Sequence, residues 1–455
     1  MRRIQKIRLI LLFLTIITLK GYPQKALDKY ISQGLQNNQV LKEKRGDLDK
    51  SLIALKEARS LFLPTTWFET QYTLADGGRA IDIPVGDLLN PVYASLNQLT
   101  SSNAFPKVSN VSEEFAPNNY YDARIKTTLP LINPDIRISR DIKQQQVILQ
   151  QNELDVYKRE LVKEIKIAYF NYLMSAGATS IYENALEVVK ENARVNKALL
   201  GEGKGLYAYV SRAESEVSTV EAQLQSAQNE QKNAKAYFNF LLNQPLEDDI
   251  VIENYEMSPS LLAPVMDHDN NKISNREELK SLAVADAINK DILRMDQSFR
   301  TPRINAFVDI GSQGFDFTVN NKSFFYLAGV QLKIPIFTGK RNLDEIESAQ
   351  IDLKNLCLRT DDTKKQLQLS AFVSSNNAIT AYNNYLSSLK EQDAAQSYFK
   401  LIDRGYKEGI NSFIELLDAR NQLTNSQLRE NINTYKFFSA LADYERQTAS
   451  YSFNQ

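Results

Sequence analysis

Two hydrophobic spacings take turns along this chain, and their order repeats. From Lys322 onward Phe324, Tyr326, Ala328, Val330, Leu332, Ile334 and Ile336 fall at every second position, with Gln331 and Lys333 among the residues between them. That is the period of a strand with two unlike faces. Upstream, Ile304, Ala306, Val308 and Ile310 alternate with Asn305, Phe307 and Asp309, and residues 311–321 carry the Gly and Asn of a turn. The two runs predict a β-hairpin over 302–337. An earlier hairpin is predicted over 64–132. Phe68, Tyr72 and Leu74 alternate there with Glu69, Gln71 and Thr73, and Tyr121, Ala123, Ile125, Thr127, Leu129 and Leu131 alternate with Asp122, Arg124, Lys126 and Thr128. Its connection, residues 75–118, is much longer and holds Gly77, Gly78, Pro84, Pro91, Pro106 and Pro117, which predicts a large loop insertion. Strands with one apolar and one polar face suit lipid on one side and water on the other. Four strands nevertheless leave two open edges, which hydrocarbon does not tolerate, and the smallest closed membrane barrels need about eight. The reading holds only if several chains pool their strands.

Outside the hairpins the spacing is 3–4. A helical pattern runs from Ala26 to Phe62 and stops at Pro64. Asn133-Pro134 opens a second helix, over 134–200, on which Leu154, Tyr157, Leu161, Ile165, Ala168 and Tyr172 form one apolar stripe. At ~1.5 Å per residue it is a rod of roughly 100 Å. Gly201, Gly203 and Gly205 mark its turn, and a return helix over 207–243 carries Ala213, Val217, Val220, Leu224, Ala227, Ala234, Phe238 and Leu241 at the same spacing. Residues 246–273 read as a linker. They include His268, the chain's one histidine, among Asp267, Asp269 and Asn270, a setting that fits solvated chain better than a metal site. Ser274 to Glu277 fits a capping box opening a helix to Phe299. A long helix over 339–404, a turn at Gly409 and a return helix over 412–448 then retrace the first half. Leu129-Pro130-Leu131 matches Ile334-Pro335-Ile336, Gly203 matches Gly409, and Ala213 matches Ala419. The chain reads as a tandem duplication, 24–245 and 274–455.

Composition narrows the function. Lys+Arg 54 against Asp+Glu 55 gives a net charge of -1 and no electrostatic case for nucleic acid. Gly 16 and Pro 13 in 455 residues favour long helices. The single cysteine, Cys357, excludes an intrachain disulfide and a cysteine zinc site, and its helical pattern predicts a packed thiol. Arg2, Arg3, Lys6 and Arg8 before the apolar run Leu9 to Leu19 predict an export signal over 1–23, cut before Gln24, with no cysteine there to take a lipid. Membrane contact is left to the strands. The chain has no phosphate loop, zinc cluster or histidine beside a nucleophile, so neither catalysis nor a cofactor is expected. Trp67, at a strand start, is expected at the bilayer boundary.

The segments TPRINAFVDIG, GVQLKIPIFTGKR and GYKEGINSFIELLDARNQL, in this order within the duplicated layout, resemble the TolC family of outer-membrane efflux proteins. PVGDLLNPVY, in the first-hairpin loop, resembles a subgroup signature that implies no activity of its own. The resemblance covers the mature chain. It implies a homotrimer in which each chain gives four strands to a twelve-stranded transmembrane β-barrel, continued by an all-α, long coiled-coil helical barrel in the periplasm. It also implies a periplasmic adaptor, the membrane fusion protein, and an inner-membrane pump of RND or ABC type, with small molecules as cargo. An exit duct for type I protein secretion has the same architecture, and a soluble coiled-coil scaffold without a pore is the remaining alternative.

The family's periplasmic gate carries over as Tyr406 for the gating tyrosine, with Glu415 and Asp418 as an acidic ring. Mutual repulsion would raise the ring's pKa values and favour cations. Ser412 to Glu415 is also a capping box, the simpler role for Glu415. Asn411 stands where the family's best-known members have a basic partner, and Tyr209 where the first half would have an acidic one. Arg404, Glu202 and Lys204 are candidate substitutes.

Overall fold

Helix and strand form where the two spacings change over. The computed structural model describes residues 26–116, 118–253, 255, 257–266 and 273–453. The predicted export signal and His268 lie outside the described residues. In order come α1 (Ala26–Asn37), α2 (Gln39–Ser60), β1 (Thr65–Thr73), β2 (Ala80–Ile83), α3 (Val85–Thr100), β3 (Val111–Glu114) and β4 (Tyr120–Ile132). Then follow α4 (Pro134–Gly201), α5 (Tyr207–Leu241), α6 (Glu277–Gln297), β5 (Arg303–Phe315), β6 (Phe324–Lys333), α7 (Arg341–Lys407) and α8 (Phe413–Thr448). The chain divides into two compact units. One comprises the residues through Leu52, Gln145–Ile288 and those from Asp352 on; the other comprises Ile53–Gln144 and Asn289–Ile351.

The first unit is helical. Leu154, Leu161, Ile165, Ala168 and Tyr172 of α4 are buried together with Leu27 and Ile31 of α1, Phe238 and Leu241 of α5, and Phe438 of α8. The helix expected over 26–62 is broken at Asn38. Its side-chain amide donates to the Leu241 carbonyl at 3.1 Å, and its Oδ1 accepts from the Leu41 N–H at 3.1 Å, which caps α2. The capping box expected at Ser274 does not form either: α6 starts at Glu277, whose carboxylate takes two bonds from Arg159, at 2.7 and 2.9 Å. A distant cation has displaced a local cap. Cys357 is exposed rather than packed.

The second unit holds a four-stranded antiparallel sheet in the order β1–β4–β5–β6. Register sets its rows. Phe68, Ile125, Ile310 and Tyr326 are partnered across all four strands, and the next row along is Trp67, Lys126, Asp309 and Leu327. Neighbouring rows face opposite ways. β4 bulges between Pro130 and Ile132, and β6 ends at Lys333, so Ile334 and Ile336 lie past the strand. The expected loop over 75–118 is folded: it contains the β2–β3 ladder and α3. No helix among the described residues is long and apolar enough to cross a membrane.

Candidate functional site

The duplicated turns end their long helices in the same way. After α4, Lys204 donates its N–H to the Leu199 carbonyl at 2.9 Å and Gly203 donates to Leu200 at 3.0 Å; after α7, Ile410 donates to Gly405 at 2.8 Å and Gly409 to Tyr406 at 3.0 Å. Both are Schellman motifs, which need a left-handed residue, and Gly203 and Gly409 supply it with φ of 68° and 76°.

Aromatic rings join the two turns. Phe413 is buried, with Tyr209 at 5.6 Å and Tyr406 at 6.3 Å between ring centroids, beside Ala193 and Ala213. Tyr406 also hydrogen-bonds Asn196, and burial pushes its hydroxyl pKa up. The ring of Tyr209 therefore makes a packing contact where an acid was expected.

Glu415 is occupied by its own helix. Its carboxylate accepts from the Ser412 N–H at 2.6 Å and from Asn411 at 3.4 Å, while the Ser412 hydroxyl accepts from the Glu415 N–H at 3.3 Å. The capping box is complete. Its backbone bond from Ser412, joined by the Ser412 and Asn411 side chains, lowers the carboxyl pKa, opposite to the direction a repulsive ring would give. Asp418, one turn on, is exposed. Arg404 pairs with Glu408, just past the end of its helix, at 3.0 Å, and Glu202 and Lys204 are exposed. The chain by itself does not bring these three to Glu415 or Asp418.

Sequence reasoning missed the pair that links the return helices. Glu216 of α5 and Arg420 of α8 form a buried ion pair, with Arg212 a further 3.8 Å from Glu216. In the repeat register set by Gly203 and Gly409, Arg212 is the counterpart of Asp418.

The sheet offers a second surface. The face that includes Trp67 also presents Glu69, Lys126, Arg124, Asp122 and Asp309; Lys126 lies 4.0 Å from Glu69, and Arg124 pairs with Asp122 and lies 3.7 Å from Asp309. Asp122 and Asp309 each keep one buried oxygen without a partner. Trp67 is thus on the charged face, two residues from Glu69. On the apolar face Phe68 is 71% exposed, Tyr326 81% and Ile310 60%.

Residues 270–443, most of the second repeat, match the family profile described as outer membrane efflux protein. Comparison with curated proteins gave no match. Solved structures share the fold of nearly the whole chain. VceC, an outer membrane protein from Vibrio cholerae, is 14% identical with a TM-score of 0.72, over 93% of this chain and 95% of that one. The Campylobacter jejuni CmeC outer membrane channel is 13% identical with a TM-score of 0.71, over 93% and 85%. The Neisseria gonorrhoeae MtrE outer membrane channel is 15% identical with a TM-score of 0.71, over 93% and 88%. The likeness spans both repeats, although the family profile matches only the second. The solved structures that share this fold are described as outer membrane proteins or outer membrane channels.

Proposed function

We propose that three copies of this efflux protein form one exit duct, each giving four strands to a twelve-stranded barrel in the outer membrane. The observation that carries the reading is the two-faced sheet. Its apolar row Phe68–Ile125–Ile310–Tyr326 is exposed, while the next row and its neighbours hold charges. Lipid outside and water inside would satisfy both faces. β1 and β6 lie at the ends of the sheet order, so closure calls for neighbouring copies. α7 asks for the same cover: Leu358, Leu369 and Phe372 are exposed on a helix otherwise rich in charge. The helices would continue the duct in the periplasm, with a periplasmic adaptor meeting the tips and an inner-membrane pump, RND or ABC, supplying energy. Small molecules are the proposed cargo.

At the tip, Asp418 is the residue free to line a constriction, with Glu415 shared between its cap and the lumen and Tyr406 and Tyr209 bracing the turn. Six equivalent helix starts in the trimer would place three Asp418 among three Arg212, a mixed ring with a cation preference smaller than six carboxylates would give. Single-channel conductance of the detergent-purified protein in planar bilayers tests this. Small cation-selective currents are expected, with selectivity lost in Asp418→Ala and increased in Arg212→Ala. A protein that stays a soluble monomer and never inserts would overturn the duct.

A further inference from the structure

Three residues in the left-handed backbone region meet at one end of the sheet, and none of them is glycine. Where the insertion enters β4, Asn119 has a φ of 51°; where β5 turns toward β6, Asp316 and Phe317 have φ of 54° and 51°. Asparagine and aspartate enter this region with some ease, but a bulky phenylalanine there is an outlier that glycine would remove. Such strain persists where the surroundings over-determine it. Here they do. Asp316 donates its N–H to the Asn119 carbonyl at 2.8 Å, the Asn119 amide donates to the Asp316 carboxylate, and Tyr72 donates its hydroxyl to Asn119 Oδ1.

The strain serves one side chain. The Phe317 ring stacks on Tyr72 of β1, with centroids 5.0 Å apart and planes 20° apart, and on Tyr121 of β4, at 5.7 Å and 3°. Tyr72 and Tyr121 are partners in one row of the apolar face, four residues along the strands from Phe68 and Ile125. Phe317 is 63% exposed and Tyr72 47%, while Tyr121 is 8% exposed. Neither tyrosine hydroxyl depends on water. That of Tyr72 has Asn119, and that of Tyr121 lies 3.1 Å from the Ser312 hydroxyl. The protein thus bends its backbone against preference to hold an exposed ring among aromatics whose polar tips are already satisfied.

We propose that this stack rests on outer-leaflet lipid, at the level where hydrocarbon gives way to headgroups, and sets the outer limit of the membrane-spanning part of the sheet. Three observations select lipid. The stack continues the exposed apolar face that holds the row Phe68–Ile125–Ile310–Tyr326. It lies on that face and reaches β4, which has a strand on either side, whereas another copy continuing the sheet would arrive at the end strands β1 and β6. Just past it the apolar pattern stops: the turn goes on with Asn320, Asn321 and Lys322, and the insertion closes on Asn118 and Asn119. Aromatic rings are favoured where an apolar surface meets a wet one. This placement rests on the barrel reading above and adds an outer boundary to it.

The test uses tryptophan fluorescence. Trp67 is the chain's single tryptophan and shares the charged face with Glu69, so the wild type is the internal reference. Full-length wild type and the double variant Trp67→Phe, Phe317→Trp are reconstituted in vesicles of phosphatidylcholine brominated either near the headgroup end of the acyl chain or near its methyl end, and acrylamide is the quencher in water. The expected result is that the tryptophan at position 317 is quenched several-fold more by the shallow bromines than by the deep ones and little by acrylamide, while Trp67 is quenched by acrylamide and by neither lipid. If native mass shows that Phe317→Trp fails to assemble, the same readings are taken from Trp67→Phe with Tyr72→Trp, which alters the stack at a residue of ordinary strand conformation. Quenching of the stack by acrylamide alone, or more strongly by the deep bromines, would overturn the boundary and leave the barrel standing. Quenching of Trp67 by brominated lipid would overturn the barrel reading and the boundary with it.

Discussion

Gly205 and Gly405 answer one steric problem from opposite sides of a turn. In the repeat register Leu199 and Gly205 of the first tip correspond to Gly405 and Asn411 of the second. A Cβ at Gly205 would stand 2.7 Å from the Leu200 nitrogen and 3.0 Å from the Leu199 carbonyl carbon, whereas one at Gly405 would stand 2.0 Å from Asn411 Oδ1. The close approach is kept and the glycine has changed sides. Backbone cannot yield, but a side-chain amide can swing away, so the two substitutions should differ. Gly405→Ala should cost about 1 kcal/mol at the tip, near the low end of overpacking, and Asn411→Gly in the same chain should recover it. Gly205→Ala should cost more, ~3 kcal/mol, and Asn411→Gly should leave it unchanged. Hydrogen exchange of the Lys204 and Ile410 amides, which close the two motifs, reads each local opening free energy. Equal costs at the two glycines would refute the distinction between backbone and side-chain crowding.

At the scale of elements, one charged network ties the end of α8 to α4 and the start of α6. Arg276 donates to the carbonyls of Arg446 and Gln447 at 3.3 and 2.8 Å, capping α8, and Arg446 reaches Glu160 at 3.0 Å and Glu278 at 2.9 Å. Burial by itself would raise the Glu278 pKa; bonds from Arg276, its own backbone and Arg446 outweigh that and bring it from the ordinary 4.5 to about 2. A carboxyl whose folded pKa lies below its unfolded one stabilises fully above the unfolded value and loses that contribution as pH falls. Melting temperature should therefore drop as pH falls from about 4.5 toward about 2, and in Glu278→Gln the drop over that window should be shallower. Parallel curves for the two proteins would show that the transition belongs to other groups. None of this network was legible in the sequence. Arg446 and Glu160 become partners only after two repeats dock, and the same holds for Glu216 with Arg420. The stripes on α4 and α5, the four strands and both glycine turns were legible because their causes lie within a few residues. Trp67 could have been placed by parity, since Glu69 must share its face. The interior of the 75–118 insertion could not: Asn90 and Asn97, which bond the Val108 and Phe105 backbone, read like solvated loop.

At the scale of the whole molecule, the ends of the sheet decide between a single chain and a closed ring. Along β1 successive N–H groups point alternately toward β4 and away from it, because antiparallel pairing uses every second residue. Proline removes one N–H and otherwise fits an edge strand where that group faces outward. In a lone sheet, one of the two neighbours Thr70 and Gln71 should accept proline with little effect. In a barrel closed by the next copy, both N–H groups have partners, and either substitution strands a carbonyl in hydrocarbon at a cost of several kcal/mol. The expected outcome is that Thr70→Pro and Gln71→Pro both abolish the heat-resistant oligomer on a native gel, as Ala123→Pro and Arg124→Pro should on β4, which has neighbours on both sides. If one of the two β1 variants keeps the oligomer at the wild-type melting point, β1 is a free edge and the ring is not closed there. A free edge would spare one of the two β1 variants where β4 spares neither, so the discriminating observation is whether either Thr70→Pro or Gln71→Pro keeps the oligomer. That comparison turns a strand count, four per chain, into a statement about how the edges are satisfied in the membrane.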